Sequence, residues 1–104
     1  MKFVAVCACP AGLMHTFMAS KGLKKEMTKA GDEIKIETQS ASGIENELTL
    51  EDVAQADAVI LAIDTAIQGM ERFNGKKIVQ VSTTQVLKNT KGVIAQAKSL
   101  VKGE

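Results

Sequence analysis

Apolar positions along the 104-residue chain change their period several times, and each change marks an element. Residues Lys2–Cys7 run almost wholly apolar through Phe3, Val4, Ala5 and Val6, the pattern of a strand covered on both faces of a parallel sheet. Spacings of three and four then take over. Thr16, Ala19, Leu23, Met27 and Ala30 predict a helix from about His15 to Ala30, stopped by Gly31 and carrying Lys21, Lys24, Lys25 and Lys29 on its outer face. Period two returns at Glu33–Thr38, where Ile34 and Ile36 alternate with Lys35 and Glu37. A second strand with one fully buried face is expected there, at a sheet edge.

After a polar loop through Ser40, Ser42 and Gly43, Thr49 precedes Leu50, Glu51 and Asp52 in a capping-box arrangement, with Leu48 able to staple onto Val53. A short helix to about Ala56 follows. The run Ala58–Ile63 is continuously apolar and predicts a third strand, central like the first and ending at Asp64. Residues 65–73 predict a short helix or helical turn holding Ile67, Met70 and Phe73, closed by the turn pair Asn74-Gly75, after which Lys77–Val81 makes the fourth strand. Ser82 and Gln85 form a second capping signal. Val86, Thr90, Val93, Ala97 and Leu100 trace a helical stripe to the C-terminus, with a break expected near Asn89–Gly92. Alternating β and α elements with two fully apolar and two plainer strands predict an α/β fold in three layers. It is Rossmann-like, built on a four-stranded parallel sheet of order 2-1-3-4.

Composition narrows the function classes. The chain is 45% hydrophobic and 24% charged with a net charge of +1, so it lacks the basic excess of a nucleic-acid binder. The longest apolar stretch, Phe3–Met14, is interrupted by Pro10 and Gly12 and falls short of the roughly 20 residues that cross a bilayer. The first strand begins at once, so no secretory leader is expected, and one domain over residues 1–104 in the cytoplasm is expected. Cys7 and Cys9 lie too close in sequence to bridge without strain and lack further metal ligands, which implies a reducing compartment and no metal.

In a sheet of this order, ligands bind beyond the carboxyl ends of the strands at the switch point between the first and third strands. The segment Cys9-Pro10-Ala11-Gly12-Leu13-Met14-His15-Thr16 falls there: a nucleophile just past a strand, a Gly-containing loop, then a helix start. Free backbone N–H groups and the positive end of the helix dipole cradle an anion such as phosphate. The same field lowers the pKa of a thiol, so Cys9 is expected to be substantially thiolate at neutral pH. Cysteine followed by five residues and then a key position is also the spacing of the loop in cysteine-dependent phosphatases. Those enzymes place Arg where His15 stands here. An imidazole offers no bidentate fork to the phosphoryl oxygens, and no Asp follows in an obvious position to protonate a leaving alcohol, so hydrolysis is not the expected outcome.

The stretch Val4-Ala5-Val6-Cys7-Ala8-Cys9-Pro10-Ala11-Gly12-Leu13-Met14-His15-Thr16-Phe17-Met18-Ala19 resembles the start of the fructose-type IIB components of the bacterial sugar phosphotransferase system. Ala56-Asp57-Ala58-Val59-Ile60-Leu61-Ala62-Ile63-Asp64 and Arg72-Phe73-Asn74-Gly75-Lys76 are similar to that family too, so the resemblance covers nearly the whole chain. It implies that Cys9 accepts phosphate from a phosphohistidine of a IIA protein and passes it to sugar, fructose or similar, at the membrane-embedded IIC component. It also implies a cytoplasmic protein that meets the inner face of the membrane transiently through IIC and needs no cofactor; a monomer is the default expectation. Family members usually carry Thr after the Pro; Ala11 here removes one hydroxyl donor.

The remaining residues divide between chemistry and packing. Cys7 lies within the strand and is expected in the core. His15 is expected to contact the phosphoryl group, while Thr16 is a secondary donor that also sits on the core stripe. Phe17 and Met18 fall off the Ala19-Leu23-Met27 stripe and, with Leu13 and Met14, offer either an apolar rim for a partner or a contact with the neighbouring segment 65–73. Asp64, at the end of the third strand, and Arg72, the only arginine, are candidate partner contacts or surface salt-bridge formers. Two other readings stand beside the relay: a cysteine phosphatase or arsenate-reductase-like enzyme, and a non-catalytic regulatory interaction domain.

Overall fold

The computed structural model describes residues 2–8, 13–40 and 43–102, with the side chains of Leu13, Met14, His15, Thr16, Ser40 and Lys102 left aside. Strand β1, Lys2–Ala8, sits at the middle of the sheet, and all six residues from Phe3 to Ala8 are buried. Alternate side chains serve opposite faces. Phe3, Ala5 and Cys7 enter one core, with Ala19, Leu23 and Met27 from helix α1 (Leu13–Lys29). Val4 and Val6 enter the other. Helix α1 stops as expected. Gly31 takes a left-handed φ of 80° at the position after the cap, while Gly31 N donates to Thr28 O at 3.0 Å and Asp32 N to Met27 O at 3.1 Å. These paired bonds satisfy carbonyls that the helix end would otherwise leave open.

Strand β2, Glu33–Ser40, runs parallel to β1, and the short strand β3, Gly43–Glu45, returns antiparallel along its outer side. Helix α2, Leu50–Gln55, is capped by Thr49 in a reciprocal box with Asp52, and Leu48 and Val53 share the second core. The Asp52 carboxyl is drawn down to about 2 by its hydrogen bond from Lys35 and by the Thr49 amide. Strand β4, Ala58–Ile63, is buried almost throughout. A single 3₁₀ turn at Met70–Phe73 leads to β5, Ile78–Val81. Ser82 caps helix α3, Thr83–Lys88, in a box with Gln85, and a break at Asn89 separates it from helix α4, Thr90–Lys102.

The expected sheet requires correction. Among the described residues it has five strands rather than four and is mixed rather than wholly parallel, in the order β3-β2-β1-β4-β5. Strand β3 escaped the hydrophobic pattern because its three residues are all exposed, so no alternation marks them. Its pairing with Thr38–Ser40 also means that β2 is an edge strand only over its first five residues, Glu33–Glu37. Helices α1, α3 and α4 cover one face of the sheet, whereas α2 and the 3₁₀ turn cover the other. The helix or turn expected over residues 65–73 reduces to that one turn, preceded by the irregular segment 64–69. No helix among the described residues is long and apolar enough to cross a membrane.

Candidate functional site

Strand β1 ends at Ala8, one residue before Cys9. In register, Ala8 lies between Gln39 of β2 and Ile63 of β4, and the Asp64 amide donates to the Ala8 carbonyl at 2.9 Å. The chain therefore leaves the sheet between the carboxyl ends of two parallel strands and re-enters regular structure at Leu13, where α1 begins. A strand end and, five residues on, a helix start thus stand at the switch point, the place where ligands bind in sheets of this kind. The amides of the opening turn, residues 13–15, have no acceptor within their own helix. Cys9, Pro10, Ala11 and Gly12 lie outside the described residues, as do the side chains of Leu13, Met14, His15 and Thr16.

Of the two thiols, Cys7 is a core residue. It is wholly buried, and loss of solvation pushes its thiol up to about 12. A neutral, enclosed thiol is a poor nucleophile, so alkylation of the native protein is expected to modify Cys9 and spare Cys7, as peptide mapping would show. Burial also makes Cys7 an alkaline liability. Below the ordinary thiol value of 9.0 both folded and unfolded forms are neutral; above it the unfolded chain ionises first, and folding free energy falls until about 12. The slope from this one group is about 1.4 kcal/mol per pH unit. Denaturant midpoints measured across that window should fall less in Cys7→Ala than in the unaltered chain; equal losses would count against the assignment.

Helix α1 presents Phe17 and Met18, 41% and 51% exposed, in the turn that follows its opening. They are accessible to a partner, unlike Ala19 beside them, which is buried. Asp64 is exposed and also holds a neighbouring element. Its carboxylate accepts from both the amide and the hydroxyl of Thr83, tying the end of β4 to the start of α3, and Thr83 itself is buried.

Arg72 departs furthest from its expected role as a partner contact or a surface salt-bridge former. Its side chain is 11% exposed and forks onto Glu37, which is fully buried, at 2.7 and 3.1 Å. The guanidinium also donates to the carbonyls of Leu48 at 2.6 Å, Gly69 at 2.8 Å and Gln68 at 3.2 Å, so all its N–H directions are engaged. It lies 5.0 Å from the centroid of the Phe73 ring, a further favourable contact. Glu37 in turn accepts from the Leu48 amide at 2.8 Å and the Gln39 side chain at 2.6 Å. Burial alone would raise the Glu37 carboxyl; the hydrogen bonds from Arg72, Gln39 and Leu48 outweigh it and hold the group below its ordinary range. Gly69 completes the fit, because a Cβ there would fall 2.6 Å from Arg72 Nε, and its φ of 78° is left-handed.

This network was the main feature missed in the sequence. Alternation assigned Glu37 to a face less well buried than that of Ile34 and Ile36, whereas the Leu48 loop and the 3₁₀ turn close over it. The one available signal was the sole arginine, 35 positions away, as the natural counterion for an acid in a strand. Gln39, whose side chain bonds both backbone groups of Gln68, carried no signal at all.

Comparison with known proteins adds independent information. The family model described as PTS system, Lactose/Cellobiose specific IIB subunit, matches residues 4–96. The chain is 39% identical over 103 residues to the PTS system fructose-like EIIB component 1 of Escherichia coli, a match spanning 99% of this chain and 95% of that protein. It is 45% identical over 98 residues to the fructose-like EIIB component 2 of the same species, spanning 94% and 92%. The solution structure of an Enzyme IIB subunit of the E. coli PTS superposes with a TM-score of 0.89 at 38% identity, covering 98% of this chain and 94% of that one. A crystallised domain of the fructose-specific IIABC component of Borrelia burgdorferi gives 0.88 at 45% identity, covering 92% and 91%.

Proposed function

The chain belongs to the fructose-type IIB components of the bacterial sugar phosphotransferase system, a family of phosphoryl carriers, and from that premise we propose that the sulfur of Cys9 is the carrying atom. The protein is thus a transferase. The single observation that supports Cys9 is placement: it follows directly on the central strand at the switch point, four residues before a 17-residue helix begins. The other thiol is enclosed in the core.

In the proposed cycle the Cys9 thiolate attacks the phosphorus of a phosphohistidine on a IIA protein; the S–P bond forms, the N–P bond breaks, and the imidazole leaves. A sugar hydroxyl at the IIC component then attacks the same phosphorus, the S–P bond breaks, and the thiolate is restored. Backbone amides of Pro10–Thr16, the proline excepted, hold the transferring oxygens in place, and His15 donates where a phosphatase would use Arg. Without that Arg or a general acid, water attacks the intermediate poorly, which suits a group that must be handed on. Phe17 and Met18, with Leu13 and Met14, meet the partner. Arg72 and Asp64 hold the surrounding frame instead.

Residues 1–104 act as one IIB domain, a monomer working at the inner face of the membrane through IIC, on fructose or a similar sugar. The whole-length relatives support the fructose class over the lactose and cellobiose wording of the family model. The test is mass spectrometry after exposure to phosphorylated fructose-type IIA proteins. One phosphoryl group, mapped to Cys9 and released by iodine, is the expected result; no adduct with several such donors would sink the assignment and leave the non-catalytic reading.

A further inference from the structure

We propose that Gln39 is a positioning residue for phosphoryl transfer: its side-chain amide clamps the backbone of Gln68 and so fixes segment 64–69 beside the end of β1, which Cys9 follows in sequence. The inference rests on the Cys9 reading above and adds to it a residue that touches neither phosphate nor partner.

The clamp is reciprocal. Gln39 Nε2 donates to the Gln68 carbonyl at 3.1 Å, and Gln39 Oε1 accepts from the Gln68 amide at 3.0 Å. A side-chain amide thereby pairs with a backbone as a neighbouring strand would, joining a sheet to a segment that has no regular pairing of its own. Gln39 also stands directly opposite Ala8 in the register of β1 and β2. The clamp therefore lies beside the last strand residue before Cys9.

Segment 64–69 is held at both ends. At its start, the Asp64 amide binds the Ala8 carbonyl and the Asp64 carboxylate holds Thr83. At its end, Gln39 grips Gln68 while Arg72 binds the carbonyls of Gln68 and Gly69. Arg72 is itself fixed by Glu37, and Gln39 donates to that same carboxylate. A connection needed only to join β4 to β5 would not require a buried ion pair and a side-chain clamp on consecutive backbone groups. Rigid support of this kind matters where reacting groups must be placed closely, since small displacements cost large factors in rate.

The expected result for Gln39→Leu is a fall of about tenfold in the rate of transfer from a phosphorylated fructose-type IIA protein at saturating donor, with the donor KM little changed. Gln68→Ala, which removes a side chain the clamp does not use, should transfer at the unaltered rate. Hydrogen exchange supplies the second readout: in Gln39→Leu the Gln68 amide loses protection, whereas the Leu48 amide, bound by Glu37, keeps it. Gln39→Ala serves the same comparison should the leucine variant not fold. Equal transfer rates for the Gln39 variant and the unaltered chain would overturn the proposal while leaving the Cys9 reading intact. A rate loss shared by Gln68→Ala would overturn it as well. Absence of phosphate uptake by the unaltered chain would instead remove the Cys9 reading, and this inference with it.

Discussion

Cys9→Ser is expected to lose phosphoryl transfer by about 10⁴-fold or more, equivalent to roughly 5 kcal/mol of transition-state stabilisation. A serine hydroxyl stays protonated at neutral pH, whereas a thiol at a helix start ionises. Cys7→Ala is the matching control. It deletes the chain's other thiol from the core, and transfer should survive because that thiol is buried and neutral. Measured rates from phosphorylated IIA to each variant decide the matter; loss in Cys7→Ala with retention in Cys9→Ser would reverse the assignment. The unaltered chain should also leave an aryl phosphate almost unhydrolysed, since His15 replaces the phosphatase arginine. Turnover abolished by Cys9→Ser would favour the phosphatase reading instead.

The second large effect concerns stability. Arg72→Met strands the Glu37 carboxylate, 0% exposed, without its counterion. Breaking a buried pair by removing one partner costs about 3–5 kcal/mol, which for a domain of this size lowers Tm on the order of 20 °C. Replacing both partners, Glu37→Leu with Arg72→Met, should recover most of that loss, because the penalty comes from the unpaired charge rather than from the missing attraction. The pH dependence follows from the lowered carboxyl. A group depressed in the folded state stabilises above its unfolded value, here about 4.5, and that contribution is lost as pH falls through the folded value. Acid unfolding of the unaltered chain should therefore include a component below pH 4.5 that is missing from the double variant. Thermal melts of the single and double variants at neutral and acid pH would show it; a silent Arg72→Met would mean that the network carries no stability.

Much of this molecule was legible because the informative signals are local. Runs such as Phe3–Val6 and Ala58–Ile63 declare strands covered on both sides, and Thr49 with Asp52, Ser82 with Gln85, and Gly31 mark helix ends through hydrogen bonds spanning a few residues. The break at Asn89 was equally visible. What stayed hidden depends on residues far apart in sequence. A three-residue strand with every side chain exposed leaves no pattern, and neither Gln39 nor Glu37 differs in the sequence from an ordinary polar strand residue.

The candidate site divides along the same line. Sequence alone placed a cysteine, a glycine-containing loop and a helix start in succession, because nucleophile, anion cradle and dipole all derive from one continuous segment. Only the folded chain decided what stands around the end of β1: Asp64 tied to Thr83, Arg72 turned inward onto Glu37, and Gln39 bound to Gln68. Such pairings join strands, loops and turns up to 35 positions apart, and a hydrogen bond between distant residues exists only once packing has brought its donor and acceptor within reach.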